Sequence, residues 1–98
     1  MRMKHDDTTH LLDAILSMRN REELQCLLDD LCTIPEINAM AQRFEVAQYL
    51  EKGLTYAQIA EITHASTATI SRVNRCLVYG EDGYQLALQR MRREEEKE

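Results

Sequence analysis

Residues 55–77 read TYAQIAEITHASTATISRVNRCL, and their apolar, small and capping residues recur with the spacing of two short helices joined by a tight turn. Thr55 and Gln58 make a capping box, in which the Thr55 hydroxyl accepts an N–H of the first turn and the Gln58 side chain reaches back. Ile59, Ala60 and Ile62 then supply the buried face of the first helix. A turn is expected at 63–65. Ser66 caps a second helix that presents Ile70, Val73 and Leu77 on one face and Thr67, Ala68, Ser71, Arg72 and Arg75 on the other. Ala60 is small where the helices cross closely, and Ala65 is small within the turn. His64 stands where the backbone tends to be left-handed and Gly is usual, which predicts a strained turn or one of altered geometry. The short polar and basic face suits a DNA major groove, although capped helix pairs also occur in all-α domains that touch no nucleic acid.

Around this pair the chain continues as helix after helix, with three Gly, one Pro and no sustained two-residue alternation, which predicts an all-α fold. Leu11, Leu12, Ile15 and Leu16 mark a first helix. Asn20 and Glu23 cap a second that carries Leu24, Leu27, Leu28 and Leu31, and both stripes are amphipathic. Thr33 and Glu36 form a further capping box around Pro35, which the first turn tolerates. Ile37, Met40, Ala41, Phe44, Ala47 and Leu50 then run on to a stop at Gly53, giving the longest helix of about five turns. After a break at 80–83, the residues Tyr84, Ala87, Leu88 and Met91 start a sixth helix. Residues 92–98 are a mixed charge run without an apolar partner, expected as a frayed, solvated helix end.

The chain of 98 residues fits one domain, residues 1–98, with a core at about 8–91 and the helix pair at about 55–78. It is too short for a catalytic cleft beside a separate reading head. The formal net charge of −5 argues against a wholly basic coat, yet Glu61 is the only acidic residue between Thr55 and Gly80, and local charge governs groove contact. Two arginines on one helix are also an ordinary solvated face. Cys26, Cys32 and Cys76 are an odd number, and no apolar stretch resembles a secretory core or a membrane span, so reduced cysteines in a cytoplasmic protein are expected. Cys32 and Cys76 read as buried small hydrophobes. His5, His10 and His64 are scattered, no zinc spacing is completed, and no metal is expected. His5 beside Asp6 and His10 beside Asp13 are solvated neighbours. No paired carboxylates, based nucleophile or glycine-rich phosphate loop suggest an enzyme.

The order of these parts resembles the Trp repressor superfamily from about residue 11 to 91. Ala68-Thr69-Ile70-Ser71-Arg72 is similar to the core of its recognition helix, and the helix start at Pro35, Arg43 and Gly53 fall at similar places in the preceding helix. Asp29-Asp30-Leu31-Cys32-Thr33, Ala41-Gln42-Arg43 and the run from Ala65 to Arg72 look like the YerC/YecD branch, predicted bacterial transcriptional regulators related to the Trp repressor. The resemblance implies a six-helix Trp repressor-like fold and an intertwined homodimer whose core comes from the first, second, third and last helices of both chains. A monomer with an intramolecular core is the alternative; burying stripes from several short helices in so small a chain is easier with a partner.

The same resemblance implies double-stranded DNA as the other partner and no membrane. Thr67, Ala68 and Ser71 match positions that approach base edges, and Thr69 matches one near phosphate and ligand; Ser66, Arg72 and Arg75 complete the expected DNA-binding set. Ala57 and Ala60 stand where the Trp repressor carries basic residues, which removes cationic contacts. Arg43 and Arg72 match the two arginines that hold its tryptophan corepressor. Val73 follows where the Trp repressor has glycine, and Ile34 and Cys76 replace its threonine and serine. Within a possible ligand pocket of Arg43, Arg72, Val73 and Cys76, tryptophan is therefore not the expected corepressor; the site is filled by side chains or takes another small effector. The implied function is a sequence-specific DNA-binding transcriptional regulator, with repression as its expected sense. The rival is a protein-interaction dimer whose helix-turn-helix no longer binds DNA productively.

Overall fold

Side-chain caps determine where most helices begin. In the computed structural model, which describes residues 8–97, Asn20 Oδ1 accepts from the Glu23 N–H at 2.8 Å while Glu23 Oε1 accepts from the Arg19 N–H at 2.8 Å. Thr33 and Glu36 bond reciprocally: Thr33 Oγ1 accepts from the Glu36 N–H at 3.3 Å and Glu36 Oε1 accepts from the Thr33 N–H at 2.7 Å. The backbone and side-chain hydrogen bonds from Thr33 hold the exposed Glu36 carboxyl below the usual carboxylate range, since both favour its charged form. Thr55 and Gln58 close the full reciprocal box.

Six helices and no strand follow among the described residues: α1 Thr9–Ser17, α2 Arg21–Leu31, α3 Ile34–Glu51, α4 Tyr56–Thr63, α5 Thr67–Tyr79 and α6 Gly83–Lys97. The pair His5 and Asp6 lies outside the described residues. The chain divides into two compact units, Met1–Ala39 and Met40–Glu98, with the boundary inside α3. In the first unit α1 and α2 bury no residue, and Leu11, Leu12, Leu16 and Leu31 are exposed.

The second unit has a dry centre: Val46 and Ala47 from α3, Ile59 from α4, Ala65 from the turn, Ile70 and Val73 from α5, and Leu88 from α6. Each full burial of an Ile or Val is worth roughly 1.5–3 kcal/mol relative to exposure. Phe44 and Tyr84 meet at its edge with ring centroids 6.1 Å apart. Gly53, at φ 88, ends α3: its N–H reaches Leu50 O at 3.0 Å while the Leu54 N–H reaches Tyr49 O at 3.2 Å, the paired bonds of a left-handed C-terminal cap. At Gly80 a Cβ would overlap the carbonyl of Cys76, which its own N–H engages at 2.9 Å.

Several expectations are corrected. Ile62 is 48% exposed, because α4 turns Ile59, Ala60 and Thr63 toward the centre and leaves Ile62 at the rim. Cys76 is exposed and Cys32 half-buried; on α5 the Ile70–Val73 stripe passes to one side of Cys76. Residues 92–97 are regular helix rather than a frayed end, and Arg92 pairs with Glu51 of α3 at 3.0 Å.

The left-handed turn is as expected. His64 caps α4 at φ 62, ψ 17, with its N–H on Ala60 O at 2.8 Å. A side chain in this region costs roughly 1–2 kcal/mol, part of which glycine's extra chain entropy offsets. His64→Gly is therefore expected to raise stability by about 0.5–1 kcal/mol, and the β-branched His64→Val to lower it by about 1 kcal/mol. Denaturant unfolding checks this, and a Val variant as stable as the Gly variant would refute it.

Candidate nucleic-acid interface

The outer face of α5 follows from what the helix must bury. With Ile70 and Val73 committed to the core, the helical period carries Ala68, Ser71, Arg72 and Arg75 to the opposite side, where all four are exposed. They line one shallow hollow of about 300 Å³. Its wall combines an alanine methyl, a hydroxyl and two guanidinium groups, a set able to meet base edges and phosphate oxygens. Among the described residues neither arginine has a carboxylate within ion-pair distance; the pair at Arg92 and Glu51 lies elsewhere.

Ser66 fixes the start of this face. Its hydroxyl accepts the Thr69 N–H at 3.1 Å and donates to Thr69 Oγ1 at 3.1 Å. Thr69 is accordingly half-buried and turned toward the cap, while Ser66 and Thr67 stay exposed at the helix entrance. The turn before it is bonded internally: Thr63 Oγ1 donates to Ile59 O at 2.8 Å and accepts from the Ala65 N–H at 3.2 Å. On α4, Ala57 is exposed and Ala60 half-buried, so this helix offers no cation at either position.

The four residues of the possible ligand pocket are not gathered around the hollow. Arg72 lines it, but Arg43, Val73 and Cys76 do not. Val73 is 1% exposed, within the core, Arg43 is half-buried on α3 and Cys76 lies on the surface of α5. Gln42 was legible only as a letter beside Arg43, yet its Nε2 donates to the carbonyl of Thr63 at 3.1 Å. No periodicity or motif signals that bond.

A capped α4, a left-handed turn and an α5 with a polar, cationic outer face define a helix-turn-helix protein. The chain belongs to the Trp repressor family, whose model, described as the Trp repressor protein, matches residues 6–92. It is 49% identical over 94 residues to YerC of Bacillus subtilis, a protein of uncharacterized role, covering 96% of this chain and 90% of YerC. A crystal structure of a Staphylococcus aureus protein provisionally assigned as a Trp repressor superposes with a TM-score of 0.86 at 47% identity, covering 91% of this chain and 89% of that one. A TrpR-like protein from Eubacterium eligens gives 0.86 at 50% identity, covering 90% and 91%. The six helices thus form a Trp repressor-like fold.

Arg75 stands farther along α5 than Ser71 and Arg72, and on a DNA-binding reading its guanidinium suits a phosphate contact rather than base readout. Arg75→Ala is expected to weaken binding to all duplex sequences alike and to reduce the slope of log affinity against log salt by about one, as loss of one phosphate contact does. An unchanged slope in a salt titration would return Arg75 to the solvated surface.

Proposed function

We propose that this chain is a sequence-specific regulator of transcription that binds double-stranded DNA as a homodimer through α4 and α5, with repression as its sense of action. The observation that carries the reading is the outer face of α5, with Ala68, Ser71, Arg72 and Arg75 around one hollow at the head of a capped helix. Membership of the Trp repressor family supports a DNA-binding regulator of that type. Ser66, Thr67 and Thr69 complete the contact set at the helix entrance. Small hydroxyls and a methyl give limited direct readout, so bridging water and DNA shape supply the rest of the specificity.

The dimer draws support from α1 and α2, which contain no buried residue although leucines recur along both. Apolar stripes of this extent call for cover, and a second copy also gives two reading heads with two-fold spacing. The whole chain then acts as one DNA-binding domain. No helix among the described residues is long and apolar enough to cross a membrane, and the cysteines are free, which accords with work in the cytoplasm.

Selection from a random duplex library at moderate salt tests the reading. A two-fold palindrome with half-sites about one helical turn apart should be enriched, and enrichment should vanish for the Arg72→Ala, Arg75→Ala variant. No enrichment, with or without small-molecule extracts, would overturn it in favour of a protein-interaction dimer. The charge of −5 and the exposed Val78 and Tyr79 favour that second reading.

Tryptophan is not the corepressor in this proposal. The branched methyls of Val73 stand where the Trp repressor has glycine, and that side chain is packed in the core, so it cannot swing away without opening a void. Calorimetric titration with tryptophan is expected to give no saturable heat. Saturable binding lost on Arg72→Ala would contradict this and restore an arginine-held ligand.

A further inference from the structure

We propose that Gln42 is a positioning residue for α5: from α3 it grips the last carbonyl of α4 and so sets the turn from which the reading helix leaves. The consequence for DNA rests on the function proposed above; the grip itself does not.

The last four carbonyls of any α-helix lack partners within it. In α4 the Ala60 carbonyl takes the His64 N–H at 2.8 Å, and the Thr63 carbonyl takes Gln42 Nε2 at 3.1 Å. Three other bonds shape the turn, namely His64 N–H to Ala60 O, Thr63 Oγ1 to Ile59 O and Ala65 N–H to Thr63 Oγ1. All three join residues of α4 and the turn to one another. None of the three reaches outside α4 and the turn, so none holds the turn against another helix. The Gln42 bond spans 21 positions and ties the turn to a different helix.

The apolar contacts cannot replace it. Ile59 and Ala65 pack among Val46 and Ala47, but such contact is non-directional, whereas an amide-to-carbonyl bond works only over a narrow range of distance and angle. The extensive helix-to-helix approaches in this unit are α4 with α5 and α5 with α6, and the Gln42 bond adds a directional link from α3 to the end of α4. The bond is also partly buried, and a carbonyl left unpaired there is not fully recovered by water.

An internal comparison is built into the fold. Gln85 of α6 donates its Nε2 to the carbonyl of Leu77 near the end of α5. That bond is exposed, and water can take its place.

The test measures amide hydrogen exchange and duplex affinity in the full chain. In Gln42→Leu, exchange protection at His64 and Ala65 is expected to fall about tenfold while that of Ile70 and Val73 holds, and affinity for a selected duplex to fall roughly fivefold to tenfold. Gln42→Glu opposes an acceptor with an acceptor while ionised and supplies a donor once protonated. Its turn protection should recover toward wild type as pH falls through the titration of that carboxyl, and that of Gln42→Leu should not. Gln85→Leu should change neither measurement. Unchanged protection at His64 and Ala65 in Gln42→Leu, or an equal loss in Gln85→Leu, would overturn the proposal. A turn that loosens as expected in a wild-type protein that selects no duplex would leave the grip standing and remove the DNA reading.

Discussion

The burial of Ile59 and Ala65 against Ile70 and Val73 is the contact on which the rest of the second unit depends. These four side chains are at most 5% exposed, and they come from both helices of the motif and the turn between them. Once Ile70 and Val73 face inward, the 3.6-residue period leaves no choice about the outer side of α5. The hollow between Arg72 and Arg75 is thus a by-product of core packing, and side chains there can vary without disturbing the fold. The turn must be left-handed to bring the two helices together, and His64 adopts that conformation at a cost that the buried contacts outweigh.

The first unit presents the opposite balance. The starts of α2 and α3 are well specified locally, Asn20 accepting from Glu23 and Glu23 from Arg19, and Thr33 and Glu36 bonding reciprocally, yet α1 and α2 have no buried residue. Helices of 9 and 11 residues are marginal on their own in water. Caps decide where such a helix starts, but packing decides whether it persists. This is why the proposed second copy enters the account as a requirement of stability as well as of DNA geometry.

The elements legible in the sequence were those written in local spacing. Thr55 with Gln58, Thr33 with Glu36, and Ser66 before α5 are short-range bonds between fixed positions, and each appears in the structure as expected. The outer face of α5 was legible for the same reason, as the complement of an apolar stripe. What escaped depends on neighbours distant in sequence. Val46 is fully buried beside the expected Ala47, and Ile62 is exposed, because the direction from which a partner helix approaches is not recorded in hydropathy. The Arg92 to Glu51 pair and the Gln42 grip join residues 41 and 21 positions apart. No local pattern encodes either one.

The acidic balance of the chain bears on how strongly it holds DNA of any sequence. Non-specific affinity for a duplex comes almost wholly from cations placed along its phosphates, and a chain of net charge −5 with alanines at 57 and 60 offers few of them. Weakening that sequence-independent term lowers affinity for every site alike and leaves discrimination to base edges and shape, the part proposed for Ala68, Ser71 and Arg72. In the dimer proposed above, two weakly charged heads held at a fixed spacing multiply their contacts through effective concentration. The low charge of α4 and the uncovered leucines of α1 and α2 therefore point to the same arrangement, one from electrostatics and the other from burial.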